Sequence, residues 1–97
     1  MTIEDFIGQK TDDLKAVIIN QLDNEFDSHQ FIKCFAKKFE PEYIDFLSNY
    51  KSHKTVHSHI ALGLAKYADA LGINKGIDVL SESVFGNEVP NKKWSKQ

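Results

Sequence analysis

Arginine is absent: all twelve cationic side chains of the chain are lysines. The planar guanidinium fork, which grips guanine edges, carboxylates and phosphates with two parallel hydrogen bonds, is therefore missing. Lysine can neutralise a phosphate only as a point charge, so the composition counts against sequence-specific nucleic-acid recognition. Cysteine is nearly absent too. A single Cys34 excludes an internal disulfide and a cysteine-based zinc site, and it fits a reducing, cytoplasmic setting. Long apolar runs are missing: the longest aliphatic stretch is Ala16 to Ile19, against the roughly 20 residues of a membrane-crossing helix. The first residues, Met1 to Phe6, are acidic and lack the basic start of a signal peptide. No glycine-rich phosphate loop and no serine-nucleophile motif occurs.

What is present describes one globular domain of 97 residues, 41% hydrophobic and 27% charged. A chain of this size buries roughly 60–65% of the surface its unfolded form exposes, so the core is thin. Seven Phe, three Tyr and one Trp supply large apolar side chains and argue against disorder. The net charge of −2 is unevenly spread. Residues 1–50 hold ten acids against five lysines, a balance of −5; residues 51–97 hold seven lysines against four acids, a balance of +3. A basic second half could face an anion or be attracted to the acidic first half.

The periodicity predicts an all-α fold: about four main helices in a single compact domain, with residues 76–97 as an irregular or short-hairpin C-terminal extension. Thr2 caps a short helical turn carrying Ile3, Phe6 and Ile7. Thr11 offers a second cap with Asp12 and Asp13 in the first turn, and Leu14, Val17, Ile18 and Leu22 predict a helix over about 12–25. Asp27 or Ser28 caps a helix over 28–39, whose Phe31, Phe35 and Phe39 stand four apart as an aromatic stripe. Pro41 suits the first turn of a helix over 41–50. Thr55 is read as the cap of the longest helix, 55–71, with Val56, Ile60, Leu64, Tyr67 and Leu71 on one stripe and Gly72 as its C-terminal cap. After Gly76 the alternation of Ile77 and Val79, the Gly86-Asn87 turn signal and Pro90 speak for extended or irregular structure.

Few residues carry chemistry. His53 and His57 are four apart, the spacing of two ligands on one helical face, but no carboxylate stands at the position a His-Glu-x-x-His arrangement needs. His29 and Cys34 are five apart and lack an orienting residue, so Cys34 reads as a small buried hydrophobe. Glu40 and Glu42, like Asp12 and Asp13, read as helix N-terminal charges. The Phe stripe reads as core. Trp94, near the end after Pro90, either anchors the tail or is exposed for a protein partner.

Residues 52–67 invite comparison with a known helix. Ser52, Thr55, Val56, His59, Ile60 and Lys66 fall in the register of the recognition helix of LuxR-type helix-turn-helix proteins, and the segment resembles that helix. The resemblance implies a DNA-binding regulator in which Lys54, His57 and Ser58 face the groove and Thr55 lies near a phosphate. Gly63 stands where that family has a large aliphatic residue. Asp45, Phe46 and Asn49 replace the Ile-Ala pair and Leu of its preceding helix. Separately, Phe26-Asp27-Ser28-His29-x-Phe31-Ile32 and Thr55-Val56-His57-x-x-Ile60 resemble phrases of small uncharacterised bacterial proteins, which implies one compact bacterial domain and no activity. The expectation is a non-enzymatic binding or regulatory module, without cofactor, metal, membrane or small-molecule substrate, that contacts another protein or itself. DNA binding through the helix at 55–71 is the alternative.

Overall fold

The computed structural model describes residues 1–97. Three of its helices begin where a short polar side chain satisfies a free backbone N–H group. Thr2 accepts from the Asp5 N–H at 3.0 Å and opens α1, Ile3–Gln9. Helix α2, Thr11–Val17, follows after Lys10 alone. Asp27 opens α3, Ser28–Lys38, with a reciprocal capping box: its carboxylate accepts from the Gln30 N–H, and the Gln30 side chain accepts from the Asp27 N–H. Pro41 sits in the first turn of α4, Glu40–Tyr50. Lys51, in the left-handed region at φ 59°, turns the chain into Ser52, which caps α5, His53–Lys66. Helix α6, Ala68–Leu71, ends at Gly72 (φ 72°).

The fold is mixed α/β, and the all-α expectation is overturned by a three-stranded antiparallel sheet. Strands β2, Ile73–Glu82, and β3, Glu88–Lys96, form a long hairpin. The short β1, Glu25–Asp27, pairs with the far side of β3, placing Phe26 opposite Trp94. The hairpin turns through Ser83–Asn87, closed by the Ser83 N–H donating to the Asn87 carbonyl at 2.7 Å, with Gly86 at φ 82°. A bulge interrupts β2 between Lys75 and Asp78. Gly76 belongs there, because a Cβ would lie 2.9 Å from the Lys93 carbonyl oxygen. The extension expected to be irregular or a short hairpin is therefore a long hairpin of two regular strands that begins at Ile73. Its length is hidden in the sequence, because most side chains of β2 and β3 meet solvent and apolar alternation is confined to the stretch around Ile77 and Val79.

Two expected helices are also shorter than read. The helix expected at 12–25 stops at Val17 and gives way to one 3-10 turn, Ile19–Gln21. The tighter turn brings the adjacent Ile18 and Ile19 both into the core, and Phe26 is drawn into the sheet. The helix expected at 55–71 begins at the Ser52 cap and breaks at Tyr67. The Tyr67 ring there lies over Gly8, where a Cβ would come within 2.4 Å of its Cζ.

One cluster of eighteen buried apolar residues holds these elements together. Gly63 lets α1 and α5 meet closely; a Cβ at this position would lie 2.4 Å from Ile7 Cδ1. Phe6 makes edge-on contacts with Phe35, Phe39 and Phe46, joining α1 to α3 and α4. Helix α3 packs on β3, and the Trp94 indole N–H donates to Ser28 Oγ at 2.9 Å. No helix is long and apolar enough to cross a membrane.

Candidate functional site: a histidine-lined cleft beside an exposed hairpin

Helix α3 starts beside β3, and α5 starts beneath the hairpin turn. Between them lies a cleft of about 460 Å³. Its α3 wall is Ser28, His29 and Ile32; its α5 wall is His53, Lys54, His57, Ser58 and Ala61; the hairpin closes it with Ser83, Asn87, Val89, Pro90 and Asn91. A polar network ties the α3 start to the hairpin. Asn91 accepts from the His29 N–H at 3.1 Å and donates to the Val79 carbonyl and to Ser81 Oγ. His29 Nδ1 shares a 2.8 Å hydrogen bond with Ser81 Oγ. Ser28 Oγ donates to the Lys92 carbonyl at 3.3 Å.

Phe85, at the hairpin turn, covers the first turns of α5. Its ring centroid lies 4.5 Å from that of His53 and 6.0 Å from that of His57, the latter pair nearly parallel. His57 Nε2 is 2.7 Å from the Tyr43 hydroxyl on α4. Burial, then the neighbouring His53 and His29, push the His57 pKa down from 6.5 to about 4. Burial also raises the Tyr43 pKa. At neutral pH the imidazole is therefore neutral and the phenol keeps its proton, and the two share a single hydrogen bond between the Tyr43 hydroxyl and Nε2. The pair is neutral, satisfied and well suited to hold the cleft wall in place.

Lys54, Thr55 and Ser58 are exposed on α5, as the DNA reading needs, but His57 turns inward to Tyr43 and under Phe85. Trp94 is 1% exposed and offers no surface to a partner; it anchors β3 against α3. His53 and His57 stand with ring centroids 5.7 Å apart. No group of three His, Cys, Asp or Glu side chains is arranged to hold a metal ion. His59 points the other way, to Glu4 of α1 at 3.0 Å, below the Tyr50 ring. Cys34 is half-buried and makes no hydrogen bond with His29. Sequence reasoning did not anticipate that His29, Ser81, Phe85, Asn87 and Asn91 share this site. Asn87 was legible only as a turn residue, and nothing local marks Phe85 as the neighbour of two histidines some thirty positions earlier.

The hairpin has a second exposed feature. Ile77, Leu80, Phe85 and Val89 are 73%, 65%, 54% and 39% exposed. Strand β2 is the edge of the sheet and is hydrogen-bonded only to β3. No family model matches the chain, and neither a curated protein nor a solved structure matches it.

Proposed function

We propose that this chain is a small non-enzymatic binding module of the cytosol, which engages another protein, or a second copy of itself, through the outer strand of its hairpin. The observation that carries the reading is β2: an edge strand of ten residues with a free backbone edge and with Ile77 and Leu80 largely in solvent. Such an edge accepts an added strand, whose affinity comes from main-chain hydrogen bonds and whose selectivity comes from side-chain contacts. Lys75, Asp78, Glu82 and the bulge at Gly76 limit indiscriminate pairing. The Tyr43–His57 hydrogen bond ties up the one strongly perturbed imidazole, and Cys34 has no base beside it, which supports binding over catalysis.

Light scattering across a concentration series tests self-association, and a pull-down with the double variant Ile77→Lys/Leu80→Lys as matched bait tests a different partner. The reading expects a mass, or a captured band, that the double variant loses while its unfolding midpoint stays near that of the wild type. Assembly indifferent to both substitutions, or no assembly in either format, rejects it.

A second reading, DNA binding, is favoured by the exposure of Lys54, Thr55 and Ser58 on a helix that follows α4 after two residues. The missing arginine and the hairpin turn over His53 and His57 weigh against it. Duplex affinity tighter than about micromolar at physiological salt exceeds typical non-specific binding. Such affinity, abolished by Lys54→Glu, would put DNA first.

A further inference from the structure

The cleft has a chemistry that the outer strand of the hairpin does not use. The chain carries fourteen acidic side chains, and none of them lines it. Its polar lining is rich in groups that can donate: the Lys54 ammonium, the His53 ring, the Ser58 hydroxyl and the Asn87 side-chain amide. Two of the twelve lysines pair with carboxylates, Lys92 with Asp78 at 2.7 Å and Lys93 with Glu25 at 3.6 Å, and neither pair reaches the cleft. Lys54 takes part in no ion pair, and the side chains of His53, Ser58 and Asn87 make no hydrogen bond within the protein. The remaining polar atoms of the cleft are already engaged: Ser28 with Lys92 and Trp94, and Asn91 with His29, Val79 and Ser81. Three of the unengaged groups, His53, Lys54 and Ser58, stand on the α5 wall, and Asn87 adds a fourth from the hairpin.

Ile32, Ala61, Val89 and Pro90 supply apolar surface around them. Such surface excludes water and strengthens attraction between a cation and an anion. The volume of about 460 Å³ lies within the range of small-ligand sites.

We infer that this cleft is a binding site for a small anionic group, a carboxylate or a phosphate, held by Lys54 with Ser58, His53 and Asn87 as further donors. His57, kept neutral and pinned by Tyr43, forms the wall on which the group rests. The group has two possible sources, a free small anion or an acidic side chain of a bound polypeptide. The site is independent of the β2 edge, so it stands or falls separately from the strand-addition reading.

The test is a titration of the isotope-labelled protein at neutral pH and low salt, read by backbone amide shifts. The probes are inorganic phosphate, acetate, and a blocked five-residue peptide of Gly and Glu with its Gly and Gln counterpart as the neutral control. Saturable shifts confined to His53, Lys54, Ser58 and Asn87 are expected with the charged probes and not with the neutral peptide. Tighter binding of phosphate or acetate than of the acidic peptide marks a free anion; the reverse order marks a polypeptide side chain. Lys54→Gln should weaken binding about fivefold, the scale of one partly exposed charge pair, and Lys54→Arg should retain it. Lys54 is exposed, so neither substitution threatens the fold. Lys38→Gln, on the exposed end of α3, should change nothing. Shifts that do not saturate, that spread over all lysines, or that respond equally to Lys38→Gln and Lys54→Gln would overturn the inference, as would equal binding of the neutral peptide.

Discussion

His57 is the residue whose environment has the most measurable consequence. Its pKa falls from 6.5 to about 4 because burial, and then His53 and His29, disfavour the imidazolium. The unfolded chain therefore binds a proton at this position that the folded chain refuses. The stability tied to neutral His57 is complete above the unfolded value of 6.5, declines as pH falls, and is lost by about pH 4. The full shift would correspond to about 3 kcal/mol, and because part of the ring meets solvent a loss of roughly 1–2 kcal/mol is the better expectation. Urea midpoints measured from pH 7 to pH 4 check this against His57→Gln, which keeps a hydrogen-bonding partner for Tyr43. The wild type should lose more stability than the variant over that window, and parallel curves would contradict the assignment. The spacing of His53 and His57 was legible in the sequence. That one of them would be closed off by Tyr43 of another helix and Phe85 of a hairpin was not, because both contacts depend on tertiary packing.

At the scale of elements, the hairpin hangs from Trp94. The indole is 1% exposed, lies opposite Phe26 in the sheet, and donates to Ser28 at the start of α3. One side chain thus joins β1, β3 and α3. Trp94→Ala should cost about 3–5 kcal/mol, the usual range for removing a buried large aromatic. The milder Ser28→Ala leaves the indole N–H without its acceptor and should cost about 1–3 kcal/mol. Hydrogen exchange gives the spatial check: amides of Glu25–Asp27 and Trp94–Lys96 should lose protection first in Trp94→Ala, ahead of those in α5. Uniform loss across the molecule would mean that the sheet is not a separable unit. Helix α5 behaves differently. Ser52 caps it, Gly63 admits α1, and Val56, Ile60 and Leu64 are fully buried, so its inner face is committed to the core while Lys54, Thr55, Ser58, Leu62, Ala65 and Lys66 remain outside.

For the molecule as a whole, a single cluster of eighteen buried apolar residues draws on every helix and on all but the outer part of the hairpin. Removing Ile60 at its centre should cost about 2–5 kcal/mol, a large part of the stability of roughly 5–10 kcal/mol of so small a domain. Ile60→Ala should therefore lower the denaturation midpoint sharply. Helical ellipticity and the fluorescence of the sole tryptophan, one reporting helices and the other the sheet, should fall together, as a cooperative transition requires. A change below about 0.5 kcal/mol, typical of exposed positions, would mean that this stripe is not core. The local sequence determined the features that neighbours along the chain can decide: the caps at Thr2 and Asp27, Pro41 in a first turn, Gly72 and Gly86 at left-handed positions, and the buried stripes of Phe31–Phe35 and Val56–Ile60–Leu64. Helix periodicity and capping are short-range, so they are visible in windows of a few residues. Only the tertiary structure decided that residues 73–82 and 88–96 pair as long regular strands, that Glu25–Asp27 join them, and that His29, His53 and His57 line one cleft with Phe85 against the latter two. Those outcomes rest on pairing between segments as many as seventy positions apart. Strand pairing of that kind is set by partners far along the chain, and in largely solvent-exposed strands the brief alternation around Ile77 and Val79 does not reveal how far they extend or what they pair with.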